Sequence, residues 1–224
     1  MTPIEPTLLF ETNLFREGFS RIGALDEVGT GSAAGPCCSG LVVISQQRGN
    51  PPAGLRDSKL LSAAQRDALV TPIHEWVLSY AVGYASAIEI DQFGLTTALR
   101  LAGHRALSEL EFQPDVILLD GNRDWLSLPD QPALMAPDYP NVVVPPVRTL
   151  VKADMKCASV AAASVLAKVE RDAFMVDLAR RYPDYQWQTN KGYATTAHLA
   201  AIGRLGRTSE HRRSWNLSIA FVGD

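Results

Sequence analysis

Two kinds of hydrophobic spacing alternate along the chain. Short runs of apolar and β-branched residues mark strands, and longer stretches with apolar positions three and four apart mark helices. Arg21-Ile-Gly-Ala-Leu25 leads into Asp26-Glu27, a Gly- and Ala-rich stretch runs from Val28 to Pro36, and Ser39 to Ser45 is again apolar. That pattern predicts two strands joined as a hairpin through a glycine-rich bend. Ser62 to Glu75 reads as a helix behind a serine N-cap, with Pro72 weakening its last turn. Trp76 to Ile90, rich in Val, Tyr and small residues, reads as a third strand, and Asp91 to Leu110 as a helix. Asp115 to Asp120 is a buried strand closed by Gly121-Asn122. Ser127 to Asn141 is proline-rich loop, and Val142 to Val151 is a strand that Pro145-Pro146 confines to an edge or a bulge. Cys157 to Tyr182 is the clearest helix, Ala-rich and amphipathic, stopped ahead of Pro183; Asp184 to Trp215 mixes loop with short helical turns. Strands first, then helices with a strand between them, predict a mixed α/β or α+β sheet with helices packed on it.

Composition narrows the class. The 224 residues are 46% apolar and 20% charged, which excludes a disordered, collagenous or disulfide-scaffold chain. No apolar run approaches the ~20 residues that span a bilayer, and no basic segment precedes a long apolar stretch at Met1 to Phe10. The expectation is a soluble cytoplasmic protein with no membrane partner. Cys37, Cys38 and Cys157 have neither disulfide nor zinc spacing and read as small packing residues of a reducing compartment. The net charge of −3 hides an asymmetry: residues 1–147 hold 9 basic against 17 acidic side chains, residues 148–224 hold 12 against 7. An acidic front beside a basic third suits either a plain solvated surface or a nucleic-acid enzyme with a metal site.

Four acids stand where chemistry would need them. Asp26 and Glu27 follow a strand, Asp120 ends another, and Asp154 precedes the long helix. Acids at strand ends and helix starts can converge on one edge of a sheet, where they repel one another until a divalent cation neutralises them. Hard oxygen ligands select Mg²⁺ or Mn²⁺ over zinc, and two such ions can activate a water and steady the leaving oxygen of a phosphodiester. Adjacent residues of a regular strand point to opposite faces, so Asp26 and Glu27 share a site only where the strand ends or bends; Gly29 and Gly31 offer that freedom. Taken singly, each acid also fits a solvated turn or a helix cap.

Five segments, in order, resemble ribonuclease HII. They are Ile22-Gly-Ala-Leu-Asp-Glu-Val-Gly-Thr-Gly31 through Gly35-Pro36; Leu55-Arg-Asp-Ser-Lys-Leu-Leu-Ser62; Leu119-Asp-Gly-Asn122; Lys152-Ala-Asp154 through Ala161-Ala-Ala-Ser164 to Lys168-Val-Glu-Arg-Asp172; and Tyr182-Pro183 through Lys191-Gly-Tyr193 to His211-Arg-Arg-Ser-Trp215. The resemblance implies a ribonuclease H-like fold: a mixed five-stranded sheet flanked by helices in a catalytic domain over 1–183, with a helical extension, 184–224, packed on it. It implies an endonuclease that cuts the RNA strand of RNA–DNA hybrids and nicks duplex DNA 5′ of an embedded ribonucleotide, giving 3′-hydroxyl and 5′-phosphate ends, and so a role in removing ribonucleotides from DNA. It carries the metal-ligand and catalytic roles onto Asp26, Glu27, Asp120 and Asp154, and substrate binding onto Gly29, Thr30, Gly31, Ser58, Lys59, Lys191 and Tyr193. Telling RNA from DNA requires sensing a 2′-hydroxyl, and close backbone approach to a sugar favours glycine. His211 and Arg212 fall in a segment whose role is open between packing and catalysis. Nothing in the sequence calls for assembly, and a monomer is expected.

The chain departs from that pattern twice. Thr30 stands where the family has Arg between the two glycines, a string closer to ribonuclease HIII, which favours long hybrids; and Ala153 stands where a Gly usually precedes the acid. Two other readings therefore stay open: a hybrid-binding protein of the same fold with weak or lost catalysis, and a nuclease of this fold that ignores ribose.

Overall fold

The computed structural model describes residues 5–129 and 135–217. Helix α1 (Leu9–Arg16) precedes a hairpin of β1 (Arg21–Val28) and β2 (Cys37–Ser45), followed by α2 (Ala63–Trp76), β3 (Ser79–Ala85), α3 (Ala87–Phe93), α4 (Leu95–Glu109) and β4 (Val116–Asp120). After the proline-rich stretch come β5 (Val147–Leu150), α5 (Ala153–Lys156), the long α6 (Ala158–Arg181), α7 (Trp187–Asn190) and α8 (Thr196–Leu205). The five strands form one sheet in the order β3-β2-β1-β4-β5. β1 pairs antiparallel with β2 and parallel with β4, which puts it at the centre.

Period-two alternation divides the core between the faces of the sheet. Ile22, Ala24, Val42, Ile44, Val116 and Leu118 pack with α6 and α2, while Leu25, Leu41, Val43, Ile117 and Leu119 pack with Ala106 and Leu107 of α4. Helix α6 comes close because residue 40 has no side chain: a Cβ there would stand 2.5 Å from the Ala163 carbonyl oxygen. A third cluster joins Met175 and Leu178 of α6 to Tyr185, Trp187 and Ile202. The segment after α6 also reaches the β1–β2 connection through a bridge between Ala34 and His211.

Several elements differ from the sequence reading. β3 stops at Ala85 because Ser86 and Glu89 form a reciprocal capping box that starts a helix, so 86–90 is not strand. The helix expected over 91–110 is two, divided at Gly94 with φ +79°. The last strand shrinks to Val147–Leu150, behind the two prolines and at the edge of the sheet. The proline-rich loop is irregular where described, and its residues 130–134 lie outside the described residues. The Ser62 cap is observed as a full capping box with Gln65, and α2 runs on through Pro72 to Trp76.

Helix α1 lies in a segment without a clear sequence signal, yet it is tied to the start of α6. Thr7 exchanges backbone bonds with Lys156 and Ala158, both 3.0 Å. Cys157 offers no side-chain cap to α6; buried Glu11 supplies one instead, accepting from the Ser159 amide at 3.0 Å and its hydroxyl at 2.6 Å. The three cysteines are free and buried. Among the described residues no helix is long and apolar enough to cross a membrane.

The contact at Gly40 gives a measurable expectation. Gly40→Ala should lower unfolding free energy by about 1–3 kcal/mol, the usual cost of overpacking. Denaturant titration should show a lower midpoint at unchanged m-value.

Candidate active site

The four acids gather at the end of the two central strands. Asp26 faces α6 from β1, in register with Gly40, and is 2% exposed. Asp120 is the last residue of β4, on the same face. Pairing of β1 with β4 stops at Leu25 and Leu119. Glu27 therefore lies past the end of its neighbour, and its carboxylate is within electrostatic reach of Asp120 and Asp154. β1 itself stays regular through Val28, so the pair shares a site because the adjacent strand ends, not because its own strand does. Asp154 arrives on α5, whose first turn is fixed to β4 by the backbone amides of Ala153 and Asp154 on the Asp120 carboxylate, the former at 2.6 Å. Ala153 is buried at a helical position, with the left-handed turn taken by Lys152 at φ +59°. A glycine at 153 is thus unnecessary here.

Burial and mutual repulsion push Asp26, Glu27 and Asp120 towards protonation. Desolvation, then Glu27, raises Asp26 well above its ordinary value, with the Ser164 hydroxyl opposing. Desolvation and Asp120 bring Glu27 up to about 7. Asp120 is raised by burial and by Asp154. Among the described residues, one oxygen of Asp26 and one of Glu27 are buried with no hydrogen-bond partner. Unpaired buried carboxylate oxygens are costly, and their presence in pairs fits a missing cation. Among the described residues, no three or more acid, imidazole or thiol side chains stand, as placed, as a group that could hold a metal ion.

The nearest cation is Lys59, whose ammonium lies 3.1 Å from Asp154 and 3.8 Å from Asp57. Its side chain is otherwise open to solvent, and the surrounding acids raise its pKa. Asp57, a fifth carboxylate, caps the turn that presents Lys59 and was not picked out by sequence reading; its only signal was its place beside Ser58-Lys59. Ser58 is buried, its hydroxyl 2.8 Å from that of Ser164. It faces the interior beside Asp26 and supports the site from behind.

The segment 29–36 adjoins the acids. Gly29 has φ +81°, and a Cβ there would collide with the Arg171 guanidinium. Two arginines hold this segment, Arg171, which sequence reading left without a role, and Arg212, which it left open between packing and catalysis; both are fully buried. Arg171 donates to the carbonyls of Pro36, Ala34 and Lys191 and to the Ser32 hydroxyl, at 2.8–3.3 Å. Arg212 donates to the carbonyls of Gly29, Thr30 and Gly35 at 2.6, 2.8 and 3.1 Å. Only tertiary contact distinguishes them from surface arginines, so their roles were not readable from spacing.

Tyr193 is 37% exposed, with Lys168 and Arg171 5.6 and 5.8 Å from its ring centre. Lys191 adopts φ +51° and turns its ammonium onto the Gln188 carbonyl. Beneath Tyr193 is a buried imidazole pair. The Tyr193 carbonyl lies 2.9 Å from His198 Nδ1, while His198 Nε2 accepts from Trp187 Nε1 at 2.9 Å and meets His211 Nε2 at 3.1 Å. His211 Nδ1 accepts from the Thr208 amide at 2.9 Å. These partners assign Nδ1–H to His198 and Nε2–H to His211, both neutral.

A mixed sheet of this order, with carboxylates collected where its central strands end, is a ribonuclease H-like fold. The family model "Ribonuclease HII" matches residues 22–218. Ribonuclease HII of Streptomyces avermitilis is 42% identical over 198 residues, covering 88% of this chain and 78% of that protein. Among solved structures, ribonuclease H2 from Pyrococcus horikoshii OT3 superposes with a TM-score of 0.66 at 24% identity, covering 87% of this chain and 93% of that one. Bst ribonuclease HIII in complex with Mn²⁺ superposes at 0.63 with 23% identity, covering 83% and 61%. The chain belongs to the ribonuclease HII family. It is accordingly a hydrolase, an endoribonuclease acting on RNA–DNA hybrids.

Two expectations follow from the electrostatics. Without divalent ions, Asp120→Asn should raise the melting temperature by a few degrees, because it removes one of several repelling charges and keeps an acceptor for the Ala153 amide. Added Mg²⁺ should stabilise the wild type more than the variant, as calorimetry would show. Burial, reinforced by His198 and Arg207, pulls His211 down to about 4 from an ordinary 6.5. The unfolded chain then takes up the proton first, so this contribution to stability is complete above the unfolded value and is lost as pH falls towards 4. The His211 ring resonance should stay unshifted on acidification from about pH 7 to about pH 5.

Proposed function

We propose that Asp26, Glu27, Asp120 and Asp154 hold two divalent ions, Mg²⁺ or Mn²⁺, and that the protein nicks duplex DNA 5′ of an embedded ribonucleotide as well as cutting the RNA strand of longer hybrids. The observation that carries the reading is the pair of buried, unpartnered oxygens on Asp26 and Glu27, set beside a glycine turn in a chain of this family. Such ions, when bound, supply Lewis-acid activation of water and neutralise charge on the phosphodiester and its leaving oxygen. The chain's own groups do the rest. Asp120 fixes α5 and with it Asp154. Ser164 steadies Asp26, and Ser58 steadies Ser164. Lys59 is paired with Asp154 and would be free to meet a phosphate if that carboxylate held a divalent ion.

Gly29, Thr30 and Gly31 present backbone to the ribose. Tyr193 offers a half-exposed ring to the adjoining sugar, and Lys191 would meet a phosphate by releasing the Gln188 carbonyl. Hydrolysis leaves a 3′-hydroxyl and a 5′-phosphate, as removal of ribonucleotides from DNA requires. The site draws every named group from one chain, which fits a monomer, and three free cysteines fit a reducing cytoplasm.

Thr30 raises a second reading, a preference for long hybrids like that of ribonuclease HIII. The Thr30 carbonyl is held by Arg212, so the backbone course of the turn does not depend on the side chain at 30. That favours retained recognition of single ribonucleotides. End-labelled duplex with one ribonucleotide should be nicked once, 5′ of it, in Mg²⁺ and in Mn²⁺, with all-DNA duplex untouched. Asp120→Asn should lower the rate by roughly 100-fold or more. Wild-type-like cutting by that variant would remove the acids from the mechanism. Cutting of long hybrid alone would move the specificity to the second reading, and binding without cutting would make the protein a hybrid-binding module.

A further inference from the structure

The Arg212 guanidinium sits wholly inside the protein, and its acceptors are carbonyls rather than carboxylates. Burying a guanidinium on neutral acceptors alone is costly: desolvation, with Arg171 adding to it, lowers its pKa to about 10. Its two shortest bonds go to consecutive carbonyls, those of Gly29 and Thr30. A trans peptide points its N–H opposite to its C=O. Drawing these two carbonyls inward therefore turns the amides of Thr30 and Gly31 outward. The turn is closed by the Ser32 amide on the Gly29 carbonyl at 3.3 Å, and neither outward amide donates to any group among the described residues. Gly31 is exposed, with nothing within 4 Å of where its Cβ would be. Two adjacent free N–H groups on an open turn form a concave donor site for one oxygen.

We propose that Arg212 is a positioning residue for ribose recognition: it holds the Thr30 and Gly31 amides outward as paired donors to the 2′-oxygen of the ribonucleotide. This rests on the reading that the turn meets the ribose. It explains how the chain tolerates Thr at 30, because the guanidinium that shapes the turn comes from residue 212, below it. Arg171 completes the support by holding Ser32, Ala34 and Pro36. A lysine at 212 has a single ammonium and cannot span two carbonyls with a planar fork.

The test has two arms. In ¹⁵N-labelled full-length Asp120→Asn protein with Mg²⁺, the Thr30 and Gly31 amide protons should shift downfield with a one-ribonucleotide duplex and much less with the all-DNA duplex. In the cleavage arm, kcat/KM is compared for a ribonucleotide and its 2′-fluoro analogue at the same position. Arg212→Lys should reduce that ratio at least tenfold while the melting temperature stays within a few degrees. Equal shifts with both duplexes, no shift at these two amides, or equal loss of both rates in a folded Arg212→Lys protein would overturn the proposal. Should Arg212→Lys not fold, Arg212→Gln is compared in the same two rates, and equal loss of both in a folded Arg212→Gln protein overturns the proposal. Failure of wild-type protein to nick the one-ribonucleotide duplex would instead strike the ribose reading itself.

Discussion

Helix α6 lies against β1 and β2 at a separation that only a residue without a Cβ at position 40 allows. From that seat it reaches every part of the site. Its first half brings Ser164 to Asp26 and Ser58; its middle sends Arg171 under the turn and Lys168 beneath Tyr193; its second half carries Met175 and Leu178, onto which the following segment packs. Its start is also fixed, by Glu11 on Ser159, immediately behind the short helix that holds Asp154. A shift of α6 outward by one methyl's width would be felt at acids, turn and tyrosine together, because interiors are close-packed and transmit strain.

Two sets of buried charge meet across this helix. On one side carboxylates are crowded without enough cations, and on the other two guanidiniums are buried on carbonyls without acids. Each set alone is unfavourable in a low-dielectric interior. The guanidiniums are held by carbonyls of the turn at 29–36, which adjoins the acids. Net charge near zero over the whole chain conceals this arrangement.

What could be read in advance followed from how local each signal is. The β1–β2 hairpin, the Ser62 cap, the strand at Val116–Asp120 and the long helix are set by short-range patterns and appear where those patterns place them. The strand reading of 86–90 failed because a Ser–Glu capping box outweighs apolar content, and the split at Gly94 because one positive-φ residue stops a helix that periodicity would continue. Helix α1 carries a weak pattern of its own and is held by partners near residue 157. The four acids were visible only as a combination, since any one acid at an element end also fits a turn or a cap. Asp57 and Arg171 were not visible, and Arg212 stayed open between packing and catalysis, since what they do depends on carbonyls and carboxylates far away in sequence.

The tie between Glu11 and Ser159 spans 148 residues. During synthesis the first helix therefore emerges with its apolar side chains Leu14 and Phe10 long before its docking surface exists. β1 likewise waits for β4 before its central position is filled on both sides. Such non-local pairing slows folding and leaves the early segment exposed to other contacts. In a growing chain, a segment made early is thus among the last to find its place, and the acid on α5 gains its backing only after Ser159 has been made.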